Sequence, residues 1–308
     1  MLTEFCEYLI PESIRVYPPK RYVLLCGGEV SNIHAEAPQS LRDAFLMGGG
    51  IGALKNSDIL QIEEIQEFFD KASPYIDLIE FEKDIAQICE LVILFSESPG
   101  SFTELGSFSV FREICDKLLL IIQRRFLSRP SFITQGPIAN LQRDHPNSVF
   151  SIIDARIGMT NQQIQTANCK SLVETVKIPI ERRLVEVDSR TTIDLSKFNH
   201  LCKTYVGLLR EFYSLKDDEL LLLLDDIGFT IDENTLNRVA FCCKALKWAS
   251  STTAGFDRVH FAFPSLNEAT KFEFRAPLAD KIRRRSEFRR YWERADPDRV
   301  AAVDEELA

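Results

Sequence analysis

Along the first half of the chain, short runs of consecutive apolar residues alternate with stretches in which apolar positions recur every three or four residues. The runs are YVLLC (22–26), LVILF (91–95) and LLLII (118–122). The periodic stretches are SLRDAFL (40–46), EFEKDIAQICE (80–90) and a segment from about 101 to 115, with a mixed stretch near 59–72. A run with no polar face reads as a strand covered on both sides, and the amphipathic segments supply the covering helices. This order predicts an α/β domain over 1–155 built on a doubly wound parallel sheet. Ligands of such sheets bind where the loops gather at the carboxyl ends of the strands, which singles out Cys26-Gly27-Gly28 and the loop 96–101.

From about 156 to 308 the pattern becomes mainly helical, with helical periods over 159–174, 196–214, 217–227 and 232–249. Gly228 reads as a helix C-cap and Thr230 or Asp232 as the next N-cap. Alternation of Val259, Phe261 and Phe263 with polar neighbours then predicts a short antiparallel hairpin. Helix, turn, helix, hairpin is the order of a winged helix; a plain helical bundle with an added hairpin is the other reading. The run LLLLL at 220–224 is fenced by Asp218, Glu219, Asp225 and Asp226 and reads as a buried helix face.

At 308 residues the chain suits two domains. Acidic residues outnumber basic ones, 46 to 37, so any binding of nucleic acid needs a local basic patch. DKIRRRSEFRRYWER (280–294) offers one, with Lys281, Arg283, Arg284, Arg285, Arg289, Arg290 and Arg294 among Phe288, Tyr291 and Trp292. Phosphate neutralisation and base stacking use those residue types; a solvated arginine-rich helix packed on its own acidic protein uses them equally well.

The cysteines, at 6, 26, 89, 115, 169, 202, 242 and 243, form no CxxC pair and read as reduced core residues of a cytosolic protein. His34, His145, His200 and His260 are scattered, so no metal is expected. The N-terminal MLTEFCEYLI is acidic where a signal peptide is basic, and no apolar run approaches the roughly 20 residues of a membrane span. A cytoplasmic protein without membrane association is the expectation.

Within the two loops, Gly27 and Gly28 either let a ligand approach the main chain or simply make a tight turn. Ser98-Pro99-Gly100-Ser101 opens a helix whose amides, with the hydroxyls of Ser101 and Thr103, suit a phosphate or a ribose. Glu104 falls in the first turn of that helix, where either the helix dipole or a function accounts for it.

LLCGG (24–28), VILFSESPGSFTELGSF (92–108) and RPSFITQGPI (129–138) together resemble the N-terminal domain of retron effector proteins of the nucleoside deoxyribosyltransferase-like type. The resemblance implies an anti-phage toxin with a winged-helix-like second domain. It implies Glu104 as the nucleophile at the sugar C1′ and Glu97 beside it, orienting ribose hydroxyls. Gly27, Gly28, Ser98, Gly100, Ser101 and Thr103 would line the substrate. With an ordinary carboxyl pKa near 4.3, Glu104 would be ionised at pH 7. The motif holds no histidine to protonate a leaving base, which favours a pre-activated leaving group such as the nicotinamide of NAD, consumed as substrate and not kept as a cofactor. The resemblance also implies restraint by the retron reverse transcriptase and its branched DNA (msDNA), and a homo-oligomer or larger assembly. Two alternatives stay open: a nucleoside or nucleotide N-glycosidase or deoxyribosyltransferase on the same fold, and a non-catalytic module binding nucleic acid or a nucleotide.

Overall fold

The structure of the protein is a computed structural model that describes residues 2–31, 35–54, 57–65, 73–160, 163–186, 191–275, 278 and 280–308. His34 and the end of the 59–72 stretch lie outside the described residues. Contacts divide the chain into two compact units, one of Arg21–Glu67 and Asp77–Asp188, the other of Met1–Lys20, Phe68–Ile76 and Ser189–Ala308.

The first unit is built on five parallel strands: β1 (Tyr22–Cys26), β2 (Asp58–Leu60), β3 (Leu91–Ser96), β4 (Leu118–Gln123) and β5 (Val149–Ile152), in spatial order β2-β1-β3-β4-β5. The α/β class read from the sequence is the one observed. β1, β3 and β4 are buried along their whole length, which is why they read as unbroken apolar runs. β2 and β5 are edge strands with partly exposed residues, and their sequences DIL and VFSI carry no such run. Chain progression moves from β1 to β2 on one side and from β3 to β4 on the other. The switch point, where loops part and ligands bind in open α/β sheets, therefore falls between β1 and β3.

Four helices of this unit matter for the site and its frame: α1 (Leu41–Met47), α2 (Leu78–Ile88), α3 (Pro99–Phe108) and α4 (Cys169–Glu186). The helix expected over 101–115 stops at Phe108, and Arg112–Cys115 is a separate turn. The helix expected over 159–174 runs instead over α4, straight through Pro179. Its Leu172, Val176 and Ile180 share one core with Val23, Leu25, Phe95 and Ile121, so packing on the sheet outweighs the proline's missing N–H. The sequence pattern divides the chain once, at 155. The sheet unit extends beyond that point because its last covering helix carries no strand signal of its own.

The second unit also takes in the N-terminal residues. Arg15–Val16 pairs antiparallel with both Thr270–Lys271 and Thr191–Thr192, and the Phe5 ring lies 4.7 Å from that of Phe212. Its centre runs α5 (Phe198–Phe212), β6 (Leu215–Lys216), α6 (Asp217–Ile227), α7 (Glu233–Ala245), β7 (Ala249–Ala254) and β8 (Asp257–Ala262), with β8 paired antiparallel to both β6 and β7. Gly228 closes α6 with φ of +112°, and the Asp232 side chain, not that of Thr230, caps α7 by accepting from the Thr235 amide. Leu220, Leu223 and Leu224 are buried, while Leu222 faces outward. Two further helices follow, α8 (Lys281–Ala295) and α9 (Pro297–Leu307). All eight cysteines are unpaired, and all but Cys6 are buried. Among the described residues no helix is long and apolar enough to cross a membrane.

Candidate active site

The two glycines after β1 are required by the protein's own packing. Gly27 has φ of +155°, and a Cβ there would lie 2.9 Å from Arg42 Cβ and 3.0 Å from Phe95 Cβ. A Cβ on Gly28 would lie 2.7 Å from Ser40 Cβ. The missing side chains let the start of α1 press against the end of β1, a closer approach than any other residue permits. The start of α1 thus occupies the space that a side chain at either glycine would need.

After β3, Ser98 caps α3 in a reciprocal capping box with Ser101. The buried Ser101 hydroxyl accepts from the amides of Glu97 (2.9 Å) and Ser98 (2.8 Å) and donates to the Ser98 carbonyl (2.9 Å). Thr103 donates its hydroxyl to the Pro99 carbonyl at 3.0 Å. The hydroxyls expected to hold a phosphate or ribose therefore hold the turn itself. Gly100 faces open space, where an added Cβ would meet nothing nearer than Ser98 Oγ at 3.9 Å.

Glu97 is likewise engaged internally. Its Oε2 accepts from the Leu41 amide at 2.6 Å, and its Oε1 from the amides of Arg42 (3.2 Å) and Gly28 (3.3 Å). The carboxylate caps α1 and ties it to the β1 loop. Burial raises its pKa, opposed by those three amides and by the Arg42 charge. Its position makes it a support for the two loops at the sheet edge.

Glu104 projects from the second turn of α3, half-buried, and its Oε2 is buried without a hydrogen-bond partner among the described residues. Burial first, then the charges of Glu82 and Glu63, push its pKa up to about 7, against the pull of Arg42. This corrects the expectation of an ordinary, fully ionised carboxylate. Glu82, near the start of α2, is also pushed up to about 7, by burial and by the charge of Glu63. Glu63, in a helical turn just after β2, goes the other way: burial would raise it, but the hydrogen bonds and charge of Arg42 hold it below the usual range. Arg42 is only 3% exposed, donates to Glu63 at 2.7 and 3.2 Å, and anchors its Nε on the Gly28 carbonyl at 2.7 Å. All four charges act on the buried thiol of Cys26, the last residue of β1, which stays protonated. Three carboxyls and one guanidinium thus share the carboxyl edge of the sheet at the switch point.

Sequence reading singled out Glu104 and passed over Glu63, Glu82 and Arg42, which the structure places near it. Arg42 left a faint signal: a cation in the first turn of a helix opposes the helix dipole, so something other than helix stability holds it there. Glu82 left none, because a carboxylate near a helix start is commonplace.

The arginine-rich segment expected to meet nucleic acid forms α8, and most of its charges are met within its own unit. Arg284 and Arg285 both pair with the buried Glu211, at 2.8 and 2.7 Å. Arg285 and Lys281 pair with Glu268, Arg283 with Glu287, and Arg289 with Glu293 and Asp304. Phe288 and Trp292 are buried, the latter donating Nε1–H to the Phe212 carbonyl at 2.9 Å. Arg290 stands exposed with no ion pair among the described residues. Four arginines and the lysine of this helix thus meet carboxylates of their own unit, as an arginine-rich helix packed on its own acidic protein would.

The fold and the edge site define the class: an α/β protein with a desolvated carboxyl cluster at the switch point of a parallel sheet, joined to a helical unit. The chain belongs to the STM3845 retron effector family, whose model matches residues 38–251. It is similar to two curated Escherichia coli proteins. One is named "Retron Ec86 putative ribosyltransferase/DNA-binding protein", 34% identical over 128 residues, or 42% of this chain and 39% of the relative. The other is named "Retron Ec73 putative ribosyltransferase/DNA-binding protein", 28% identical over 131 residues, or 42% of this chain and 40% of the relative. The chain thus matches about two fifths of each relative's length.

Proposed function

We propose that this retron effector is an anti-phage toxin whose sheet unit cleaves the N-glycosidic bond of NAD. The observation that carries the reading is Glu104: a carboxyl at the switch point with a buried oxygen unpartnered among the described residues, raised to about 7 among other carboxyls. An oxygen with no hydrogen bond to give up is poised to attack C1′ or to stabilise the oxocarbenium-like transition state there. The electron pair of the breaking C–N bond passes to the pyridinium nitrogen, so nicotinamide leaves neutral and takes no proton. Water then attacks C1′, releases Glu104 and loses its proton. The positive pyridinium also suits a site where carboxyls repel one another, because its charge lowers the pKa of Glu104 and ionises it. Glu97, Arg42 and the two glycines hold the sheet edge in shape.

The names of the two relatives as ribosyltransferase/DNA-binding proteins support glycosyl chemistry here together with nucleic-acid contact. The helical unit supports the second half of that reading, since α5-β6-α6-α7-β7-β8 is the element order of a winged helix. Its role is to hold the enzyme inactive through the retron reverse transcriptase and msDNA.

A second reading has its own observation. Glu82 at about 7 retains its proton over much of the neutral range and is a ready general acid, which would let an ordinary nucleobase leave from a nucleotide. Incubating the purified chain with NAD and with a panel of nucleotides, and separating free bases by chromatography, tests both. Nicotinamide release abolished by Glu104→Gln supports the first reading; release of nucleobases with NAD intact supports the second. No release from any of them overturns both.

A further inference from the structure

Within the helical unit, a cavity of about 530 Å³ opens between α7 and the β7–β8 hairpin. Its wall combines Asn237, Phe241 and Lys244 of α7 with Ser250 and Ser251 of β7 and Arg258 of β8. Tyr205 and His260 also reach it. Among the described residues no carboxylate lines it, although acidic residues outnumber basic ones 46 to 37 in the chain.

The polar groups behind the wall are fixed in a defined order. Asp217, held at about 2 despite partial burial by His260 and Arg258, is an acceptor only. His260 Nε2 lies 2.7 Å from Asp217 Oδ1 and must donate, which leaves Nδ1 of the neutral ring to accept from the Tyr205 hydroxyl at 2.8 Å. Arg258 donates Nε and Nη2 to Asp217 and Nη2 to the Asn237 carbonyl oxygen at 2.6 Å. That bond orients the Asn237 amide. Its NH₂, and Nη1 of Arg258, are without a hydrogen bond among the described residues. Lys244 is exposed and has no ion pair among them.

We infer that this cavity binds a nucleotide unit. Lys244, Arg258 Nη1 and the two serine hydroxyls take the phosphate. The oriented Asn237 amide donates to the base edge, and the partly buried Phe241 ring, which meets Tyr75 edge-on at 5.9 Å, lies against the base face. Lys244 and the Nη1 side of Arg258, whose Nε and Nη2 are turned to Asp217, favour an anion, and an amide beside an aromatic ring selects a planar, hydrogen-bonding one. A simple phosphate would have no use for the second pair. The nucleotide unit comes either as a free mononucleotide or as one residue of a strand. This inference is independent of the glycosidic reading and moves the nucleic-acid contact from α8 to the α7–hairpin cavity.

The full chain carrying Lys244→Ala, and separately Asn237→Asp, is titrated with AMP and dAMP by calorimetry and with a labelled oligothymidylate by fluorescence anisotropy. Both positions are polar and partly exposed, and matching circular-dichroism melts show that the variants fold. Each substitution is expected to weaken one binding event about tenfold, the loss of a charged or oriented hydrogen bond, while base release at the sheet unit is unchanged. Weakening for mononucleotides assigns the free ligand; weakening for the oligonucleotide alone assigns a strand. Wild-type affinity of both variants for all probes overturns the inference, as does failure of the wild type to bind any of them at millimolar concentration. Glu104→Gln does the reverse, removing base release and leaving this binding intact, so the two readings fail separately.

Discussion

Glu97 accepts a hydrogen bond from the Leu41 amide at 2.6 Å, so the carboxylate at the end of the central strand is the cap of a helix that begins 56 residues earlier. With its further bonds to Arg42 and Gly28, this side chain joins the two loops that flank the switch point.

Glu97→Ala should therefore act first on stability. Three backbone amides lose a charged acceptor, and at about 1 kcal/mol or more apiece the expected cost is about 2–4 kcal/mol. Denaturant titration reads it. A cost below about 0.5 kcal/mol would remove Glu97 from the frame of the site.

The raised pKa of Glu104 fixes the sign of two pH effects. As nucleophile it must be ionised, so kcat/KM for base release should climb with a slope of one up to about pH 7 and then level off. A flat profile from pH 5 to 9 would contradict this. For folding, a carboxyl whose pKa rises from 4.5 to about 7 binds its proton more tightly in the native state. Its contribution is full below the unfolded value and is lost as pH rises through the folded one. Glu104→Gln should then gain stability over wild type between pH 4 and pH 8, on the order of 2 kcal/mol.

Glu82→Gln separates the two substrates. Removing its charge should shift the pH profile of Glu104 toward acid with either of them. The maximal rate should survive if nicotinamide is the leaving group, and should fall about 10²–10⁴-fold if an ordinary base needs its proton. Single-turnover rates with NAD and with a deoxynucleotide decide between them.

Arg284→Ala should unfold more than it unbinds. It leaves Glu211, 2% exposed, with Arg285 as its remaining ionic partner, and breaking a buried pair costs about 3–5 kcal/mol. The salt dependence of nucleic-acid binding should keep its slope in folded protein, since this guanidinium is committed internally. A flattened slope would return the interface to α8.

Some of the architecture was legible because burial on two faces writes itself into sequence: β1, β3 and β4 are runs with no polar residue until their ends. Edge strands and α4 were harder, since a half-exposed strand has no run and Pro179 interrupts a helical pattern that tertiary packing sustains.

By itself the sequence determined the parallel sheet, the loops at its carboxyl edge and Glu104 as the residue to watch. All of these follow from local patterning, in which side-chain period and turn chemistry are set by neighbours in the chain. Only the tertiary structure decided that Glu97, Ser101 and the glycines tie the loops together, that Glu63, Glu82 and Arg42 gather beside Glu104, and that most of the arginines of α8 are paired within their own unit. Those outcomes depend on charges and amides tens of residues apart meeting in a desolvated space, where Coulomb forces strengthen as water is excluded and no local pattern records the partner.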